Sequence, residues 1–404
     1  MRLPLVARLL ACLCCVAPST WAQSPSSAAQ PPSVPTTPWT WRPSLFVLAS
    51  ADENTDPPVG AFPVTFEEPA FAGNLGAGLD GAHRTAKTRL AVGLFGLVRS
   101  PLSGPDRAMY VGGRVSWSWQ PAAAWRLDLR DSAKLQRQPQ LDVAGFQRNN
   151  AVIGVEWRPT ASPVGVSLEV GDRRRDLPAL EVLGFARQSV TLGVVSSNTT
   201  SAAEVGIGLQ RYRAPTATGR RLVLSAEVAK FGHATIGSAR YSFVDPRADR
   251  SIPFTGDSGE QAGEFSDIDR ADFLEQLAFA GSDSTIASEV FVLDPIETDS
   301  DDWDFGRRKH VVVGYLSRQF AGEAVLSGSI RYQRRDGPNL LAPEGSALAA
   351  PFRDNRVAVR VTFRRPISKR LIVVGQASYL RNRGDRPIID FSRRLIGVGL
   401  QIQF

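Results

Sequence analysis

The chain has 404 residues and a formal net charge of +7, with 43% hydrophobic residues, 8% aromatic residues and 35 glycines. Beyond its opening stretch, no apolar run approaches the roughly 20 residues that a membrane-crossing helix needs, which excludes a helical membrane domain. All three cysteines, Cys12, Cys14 and Cys15, lie in that opening stretch, so the remainder offers neither a disulfide framework nor a thiolate metal site. These averages do not separate a soluble domain from a membrane β-barrel, because a barrel's apolar and polar residues alternate and cancel in any mean.

Residues 1–22 read as a secretory leader: Arg2 and Arg8 supply a positive start, Leu9 to Val16 an apolar core, and Thr20-Trp21-Ala22 a small-residue cleavage site before Gln23. Leu9-Leu10-Ala11-Cys12 resembles a lipoprotein cleavage box, but Arg8 would interrupt an already short apolar core, so cleavage after Ala22 is the expectation. Residues 23–40 are rich in Pro and Ser and are expected to form a disordered periplasmic tail.

From residue 41 onward the period is two. Met109-Val111-Gly113-Val115-Trp117-Trp119, Ala151-Ile153-Val155-Trp157, Val164-Val166-Leu168-Val170, Ala203-Val205-Ile207-Leu209, Leu222-Leu224-Ala226-Val228, Val357-Val359-Val361-Phe363 and Leu371-Val373-Gly375-Ala377-Tyr379 each form one face of an extended segment. The opposite faces carry Gly, Ser, Arg, Glu, Gln and Asn; between 355 and 365 that face is Arg356, Ala358, Arg360, Thr362 and Arg364. Weaker segments lie near 44–50, 69–80, 88–98, 125–131, 187–195, 235–243, 308–318 and 324–333. The total is about sixteen strands.

Every second connection is brief: DGAHRTA, QPAAA, RPTASP, SSNTTS, FGHA, QFAGE and RRPISK. The connections between them are mostly longer, at 51–68, 99–108, 132–149, 173–186, 213–220, 244–307, 335–354 and 383–391. Short periplasmic turns with longer outer loops, and both termini on the periplasmic side, are the arrangement of an up-and-down outer-membrane barrel. Aromatic positions agree with one register: Trp117, Trp119, Trp125, Trp157, Phe363 and Phe404 fall near periplasmic strand ends, and Tyr241, Phe243, Tyr332 and Tyr379 near outer ends. The predicted fold class is therefore all-β, a transmembrane antiparallel up-and-down β-barrel over 41–404.

The longest connection is also the most acidic. Between 244 and 306 seventeen carboxylates face three arginines, a net of −14, while the rest of the chain without its leader carries +19. A basic body with an acidic insert does not suit a nucleic-acid partner. Asp267 or Ser266 can cap a helix through Ile268, Phe273, Leu274, Leu277 and Phe279 that stops at Gly281. The insert either folds inward against an arginine-lined wall or stays outside as a solvated loop.

The chain closes on Ile396, Val398, Leu400, Ile402 and Phe404, alternating with Gly397, Gly399, Gln401 and Gln403. This strand resembles the carboxyl-terminal signal of bacterial outer-membrane β-barrels, which implies recognition by the barrel-assembly machinery and residence among outer-membrane lipids. Three further pieces, Ser50-Ala-Asp-Glu-Asn54, Val155-Glu-Trp-Arg-Pro-Thr160 and Arg386-Pro-Ile-Ile-Asp-Phe-Ser-Arg-Arg394, resemble the β-barrel porins of bacterial exopolysaccharide and surface-assembly systems. That resemblance implies a porin in the Gram-negative outer membrane.

Familiar catalytic and cofactor patterns are weak or missing. Gly256-Asp-Ser-Gly259 matches a serine-protease nucleophile box, but the nearest histidines, His83 and His233, fall in predicted turns on the other side of the membrane. Asp299, Asp301, Asp302 and Asp304 lack the turn glycine and distal Glu of a calcium loop. Neither a phosphate-cradling Gly-Lys loop nor a dinucleotide fingerprint is present. No cofactor, metal or catalytic residue is expected, and a hydrolase built on His310 is a minor alternative. The expected role is passage of anionic small solutes or an acidic polysaccharide, with Arg114, Arg126, Arg130, Arg318, Arg331, Arg356, Arg360, Arg364 and Arg393 lining the pore and Glu156, Glu169 and Glu204 as opposing charges. The alternative is a non-conducting accessory barrel for surface polysaccharide or protein export.

Overall fold

Strands with a two-residue period bury their backbone polar groups only by pairing on both edges, and in a sheet without edges every strand does so. The computed structural model describes residues 37–55, 70–101, 108–137, 146–160, 162–176, 185–198, 200–213, 218–232, 234–248, 308–337, 352–384 and 391–404. They form β1 (Thr37–Thr55), β2 (Ala70–Arg84), β3 (Thr88–Pro101), β4 (Ala108–Ala122), β5 (Trp125–Arg137), β6 (Phe146–Trp157), β7 (Val164–Asp176), β8 (Phe185–Ser197), β9 (Ser201–Arg213), β10 (Thr218–Phe231), β11 (Thr235–Ala248), β12 (Arg308–Gln319), β13 (Val325–Gly337), β14 (Phe352–Pro366), β15 (Leu371–Gly384) and β16 (Phe391–Gln403). Each strand pairs with its sequence neighbours, and β1 pairs antiparallel with β16 to close a sixteen-strand barrel. Among the described residues no helix is long and apolar enough to cross a membrane; the strands do the crossing.

Which residues face which side follows from register, because directly opposed residues of an antiparallel pair share a face. The apolar face is the outer one: Leu75, Leu209, Ile396 and Val398 are each at least 60% exposed. The inner face is charged and enclosed, with Arg148, Arg173, Arg221, Lys309, Arg335, Arg356 and Arg360 all buried. A water-soluble protein has the reverse distribution. About four outward apolar positions per strand, at about 3.3 Å per residue and a tilt near 40°, make a band roughly 20 Å tall, the height of a bilayer's hydrocarbon zone seen by such barrels.

The short turns and both ends of the barrel chain lie on one side. Polar side chains close these turns: Thr85 Oγ1 accepts from the Thr88 and Lys87 amides, Asn198 Oδ1 from the Thr200 and Ser201 amides, and Ser368 Oγ from the Leu371 and Arg370 amides. The Phe404 amide donates to the Pro43 carbonyl at 3.1 Å, tying the last residue to the start of β1. Outside, near this end, Trp39 stacks on Trp41 and on His83, Trp117 on Trp119, and Trp125 meets Trp157, with ring centroids 5.3–6.4 Å apart. Such amphipathic rings suit a membrane interface.

The strands run longer than expected, and two of the boundaries that move bear on the tail and the acidic insert. β1 begins at Thr37, so residues 37–40 are strand rather than tail, and they add Trp39 to the aromatic belt. β11 continues to Ala248, so 244–248, including Asp245, belong to the sheet. The rest of the acidic insert, with the helix expected near 266–281, Ser258 and the Asp299–Asp304 cluster, lies outside the described residues.

Candidate functional site

The inner wall divides into sectors of different chemistry. On β2 to β10, away from the loop-side end, several inward cations pair with carboxylates. Arg114 lies over Gly93, where a Cβ would come within 2.8 Å of its Nε, and reaches Asp80 at 3.5 Å. Arg126 pairs with Asp128 at 3.0 Å and also donates to Ser118. Arg130 pairs with Glu169 at 2.9 Å, Arg158 with Glu156, and Glu204 accepts from Ser167 at 3.3 Å. These wall pairs are 21–40% exposed on their side chains, so each contributes little to stability and mainly sets the local field.

The β12–β16 sector is different. Its described inward charges are Lys309, Arg331, Arg335, Arg356, Arg360 and Arg364 against the single carboxylate of Asp354. Asp354 is already engaged: Arg335 donates Nε–H to its Oδ1 at 2.7 Å and pairs through Nη2 with Oδ2, and Asn382 Nδ2 donates to Oδ2 at 3.4 Å. All three residues are at most 1% exposed. Below this triad Arg356, Arg360 and Arg364 follow one another every fourth residue along β14, and Arg331 sits opposite Ala358, between the first two. At about 3.3 Å per residue this is a guanidinium ladder roughly 26 Å long on the inner wall. Arg364 donates to Gln401 Oε1 at 3.5 Å, which holds its lowest rung against β16.

A cationic collar surrounds the loop-side end of the interior. Lys134, Arg148, Arg173, Arg187, Arg221, Lys309 and Arg335 all face inward within three residues of a loop-side strand end. Arg173 and Arg187 stand directly opposite each other across the β7–β8 pair. Arg221 donates Nε–H to Gln210 at 2.6 Å, and Lys134 lies 5.0 Å from the Tyr110 ring centre. Parts of β15, β16, β1, β3 and β4 also turn apolar side chains inward: Ile372, Val374, Leu380, Leu395, Phe46, Leu48, Leu97 and Tyr110 are all buried. Phe46 lies flat on Gly76, where a Cβ would fall 1.9 Å from its Cζ, so only glycine leaves room for the ring.

No protein-family model and no curated protein matches the chain. Solved structures do resemble it. OprD of Pseudomonas aeruginosa is 10% identical, with a TM-score of 0.43 over 90% of this chain and 95% of that one. OccAB3 of Acinetobacter baumannii is 9% identical, TM-score 0.42, over 90% and 99%. OpdK of Pseudomonas aeruginosa, solved with vanillate, is 11% identical, TM-score 0.44, over 90% and 99%.

Of the residues singled out from sequence, Arg114, Arg126, Arg130, Glu156, Glu169, Glu204, Arg331, Arg356, Arg360 and Arg364 face the barrel interior. Arg393 pairs with Leu380 in β16, but its side chain is outside the described residues. Arg318 is a correction. It faces outward at the short-turn end, 5.3 Å over the Phe320 ring, while its neighbour Ser317 faces inward and is fully buried. Lys309, Arg335, Asp354, Asn382 and the collar arginines went unnoticed in the sequence. The alternation that exposes Arg356, Arg360 and Arg364 also marks Lys309 and Arg335 once the strand register is known. His310 is on the outer face, where Tyr241 Oη and its Nδ1 lie 2.9 Å apart and Phe243 packs against the ring at 4.9 Å.

Proposed function

We propose that this barrel is a porin-like channel of the Gram-negative outer membrane that passes anionic small solutes. The observation that carries the reading is the guanidinium ladder of Arg356, Arg331, Arg360 and Arg364, a run of inward cations with one carboxylate at its top. An anion moving along it exchanges one cation for the next at spacings of about 7 Å from Arg356 through Arg331 to Arg360 and about 13 Å from there to Arg364, so no rung binds it tightly enough to stop it. The collar above raises the local anion concentration at the entrance, as a charged mouth with low-dielectric walls does. The terminal strand from Ile396 to Phe404 supplies the assembly signal, and the resemblance to surface-assembly porins adds an acidic polysaccharide to the candidate cargoes.

Liposome swelling tests this reading. A sugar acid should enter protein-loaded liposomes several-fold faster than a neutral sugar of the same size. Equal entry of the two would remove the ladder's role. No entry of either, with correctly folded protein, would favour a second reading, a plugged accessory barrel for polysaccharide or protein export. One observation supports that reading: Lys309, Gln333, Arg335, Asp354 and Asn382 are at most 2% exposed on a wall that an open channel wets.

A further inference from the structure

The outer surface is also asymmetric at its loop-side rim. Above the apolar band, β9 to β16 present Arg211, Arg213, Arg220, Arg308, Arg334, Arg353, Arg381, Arg383 and Arg394 outward, against only Asp245 and Asp336 among the described residues. On β5 to β7 the same level carries Arg137 and Arg174 against Asp131, Asp172 and Asp176. One side of the rim is therefore strongly cationic and the other balanced.

Within the cationic side each of the two carboxylates is already ion-paired. Arg308 pairs with Asp245 at 3.2 Å, and Asp336 is flanked by Arg334 at 3.3 Å and Arg353 at 3.1 Å. Arg211 and Arg220 stand directly opposite each other across the β9–β10 pair, with Arg213 one outward position above Arg211. None of these three takes part in an ion pair among the described residues. Like charges directly opposed across a strand pair destabilise a sheet unless an anion lies between them. Immediately below the Arg211 and Arg220 pair, Leu209 opposes Leu222 and Ile207 opposes Leu224, a bare apolar column in which Leu209 is 65% exposed. Farther round, Tyr241, Phe243, His310 and Tyr332 mark the height at which apolar contact gives way to polar.

We propose that this rim binds a phosphorylated glycolipid of the outer leaflet, with its phosphates on Arg211, Arg213 and Arg220 and its acyl chains along the Leu209–Leu222 column. The chemistry is that of an amphiphile: anionic groups at the height of the arginines, hydrocarbon directly beneath them, in continuity with the lipid-facing band. The proposal rests on the barrel spanning the membrane with its loop side outward, but not on what passes through it.

The test uses the full barrel folded in neutral detergent and native mass spectrometry with bis-phosphorylated lipid A, with the same lipid stripped of its phosphates, and with inorganic phosphate. Lipid A should bind and raise the unfolding temperature, and the dephosphorylated lipid should do neither. At about fivefold per arginine near a charged lipid surface, Arg211→Gln, Arg213→Gln and Arg220→Gln together should weaken lipid A binding about a hundredfold. Arg137→Gln with Arg174→Gln, on the balanced side, should leave it unchanged. Equal binding of the dephosphorylated lipid, binding of inorganic phosphate as tight as that of the lipid, or an equal loss in the balanced-side variant would each overturn the proposal. These outcomes read independently of the channel, whose entry rates for sugar acids are measured on the same preparations, and wild-type binding alone decides between the two lipids should the triple variant fail to fold.

Discussion

Gly399 sits in the terminal strand where β16 meets β1, and replacing it by alanine should damage barrel closure out of proportion to the change of one methyl group. A Cβ there would stand 2.2 Å from the Val47 carbonyl oxygen and 2.8 Å from the Leu48 Cα, both backbone atoms of β1. Carbon and carbonyl oxygen settle at about 3.3–3.6 Å, so β1 would have to retreat by about 1 Å. A retreat of that size takes a ladder hydrogen bond from about 2.9 Å to about 3.9 Å, beyond its useful range. Overpacking at about 1–3 kcal/mol and two weakened seam bonds at about 1 kcal/mol each give a loss of about 3–5 kcal/mol. Gly375→Ala in β15 is the matched control, because its Cβ would meet nothing nearer than Phe363 Cβ at 3.9 Å. Removing a strand glycine there should stabilise by about 0.5 kcal/mol. Urea unfolding in micelles, followed by tryptophan fluorescence and by gel migration with and without heating, measures both variants. A Gly399→Ala barrel as stable as Gly375→Ala would show that the seam is not as tight as the structure has it.

Other perturbations separate the parts of the wall. Asp354→Ala leaves the Arg335 charge buried without its carboxylate and should cost about 3 kcal/mol, whereas Arg335→Met with Asp354→Leu should come within about 1 kcal/mol of wild type; urea midpoints compare them. Deleting 249–306, which leaves β11 and β12 whole, should raise single-channel conductance and anion preference if the acidic insert lies in the lumen. Unchanged conductance at physiological salt, where screening acts over about 8 Å, would place it outside. Deleting Phe404 should lower the yield of membrane-inserted barrel far more than deleting 23–36, as measured by surface protease protection and heat-modifiable migration.

The strand number and the inward face were legible because most strands alternate cleanly, and Val357-Val359-Val361-Phe363 against Arg356, Arg360 and Arg364 has a single possible register. Where both parities are apolar the pattern carries no direction. Val311, Val312 and Val313 are consecutive, and the sheet turns Val311 inward and Val312 outward; one step of parity places Arg318 on the lipid side. The same ambiguity in Leu45-Phe46-Val47-Leu48 hid the inward turn of Phe46 and Leu48. The Arg335, Asp354 and Asn382 triad was illegible for another reason: its members lie 19 and 28 residues apart and meet only through the register of three strands. Trp39 and Trp41 went uncounted because Pro-rich surroundings mask a strand start, although Thr37-Pro-Trp-Thr-Trp41 already alternates.

Ion selectivity in a planar bilayer tests the central claim most directly. With a tenfold KCl gradient the wild-type channel should show a reversal potential of the sign that marks chloride as the preferred ion. Arg356→Gln, Arg360→Gln and Arg364→Gln together should move it by tens of millivolts toward the cation side, and Arg318→Gln, on the outer face, should leave it in place. A cation-selective wild-type channel, or an Arg318→Gln shift as large as that of the three ladder substitutions, would contradict the assignment of the β14 arginines to the conducting wall.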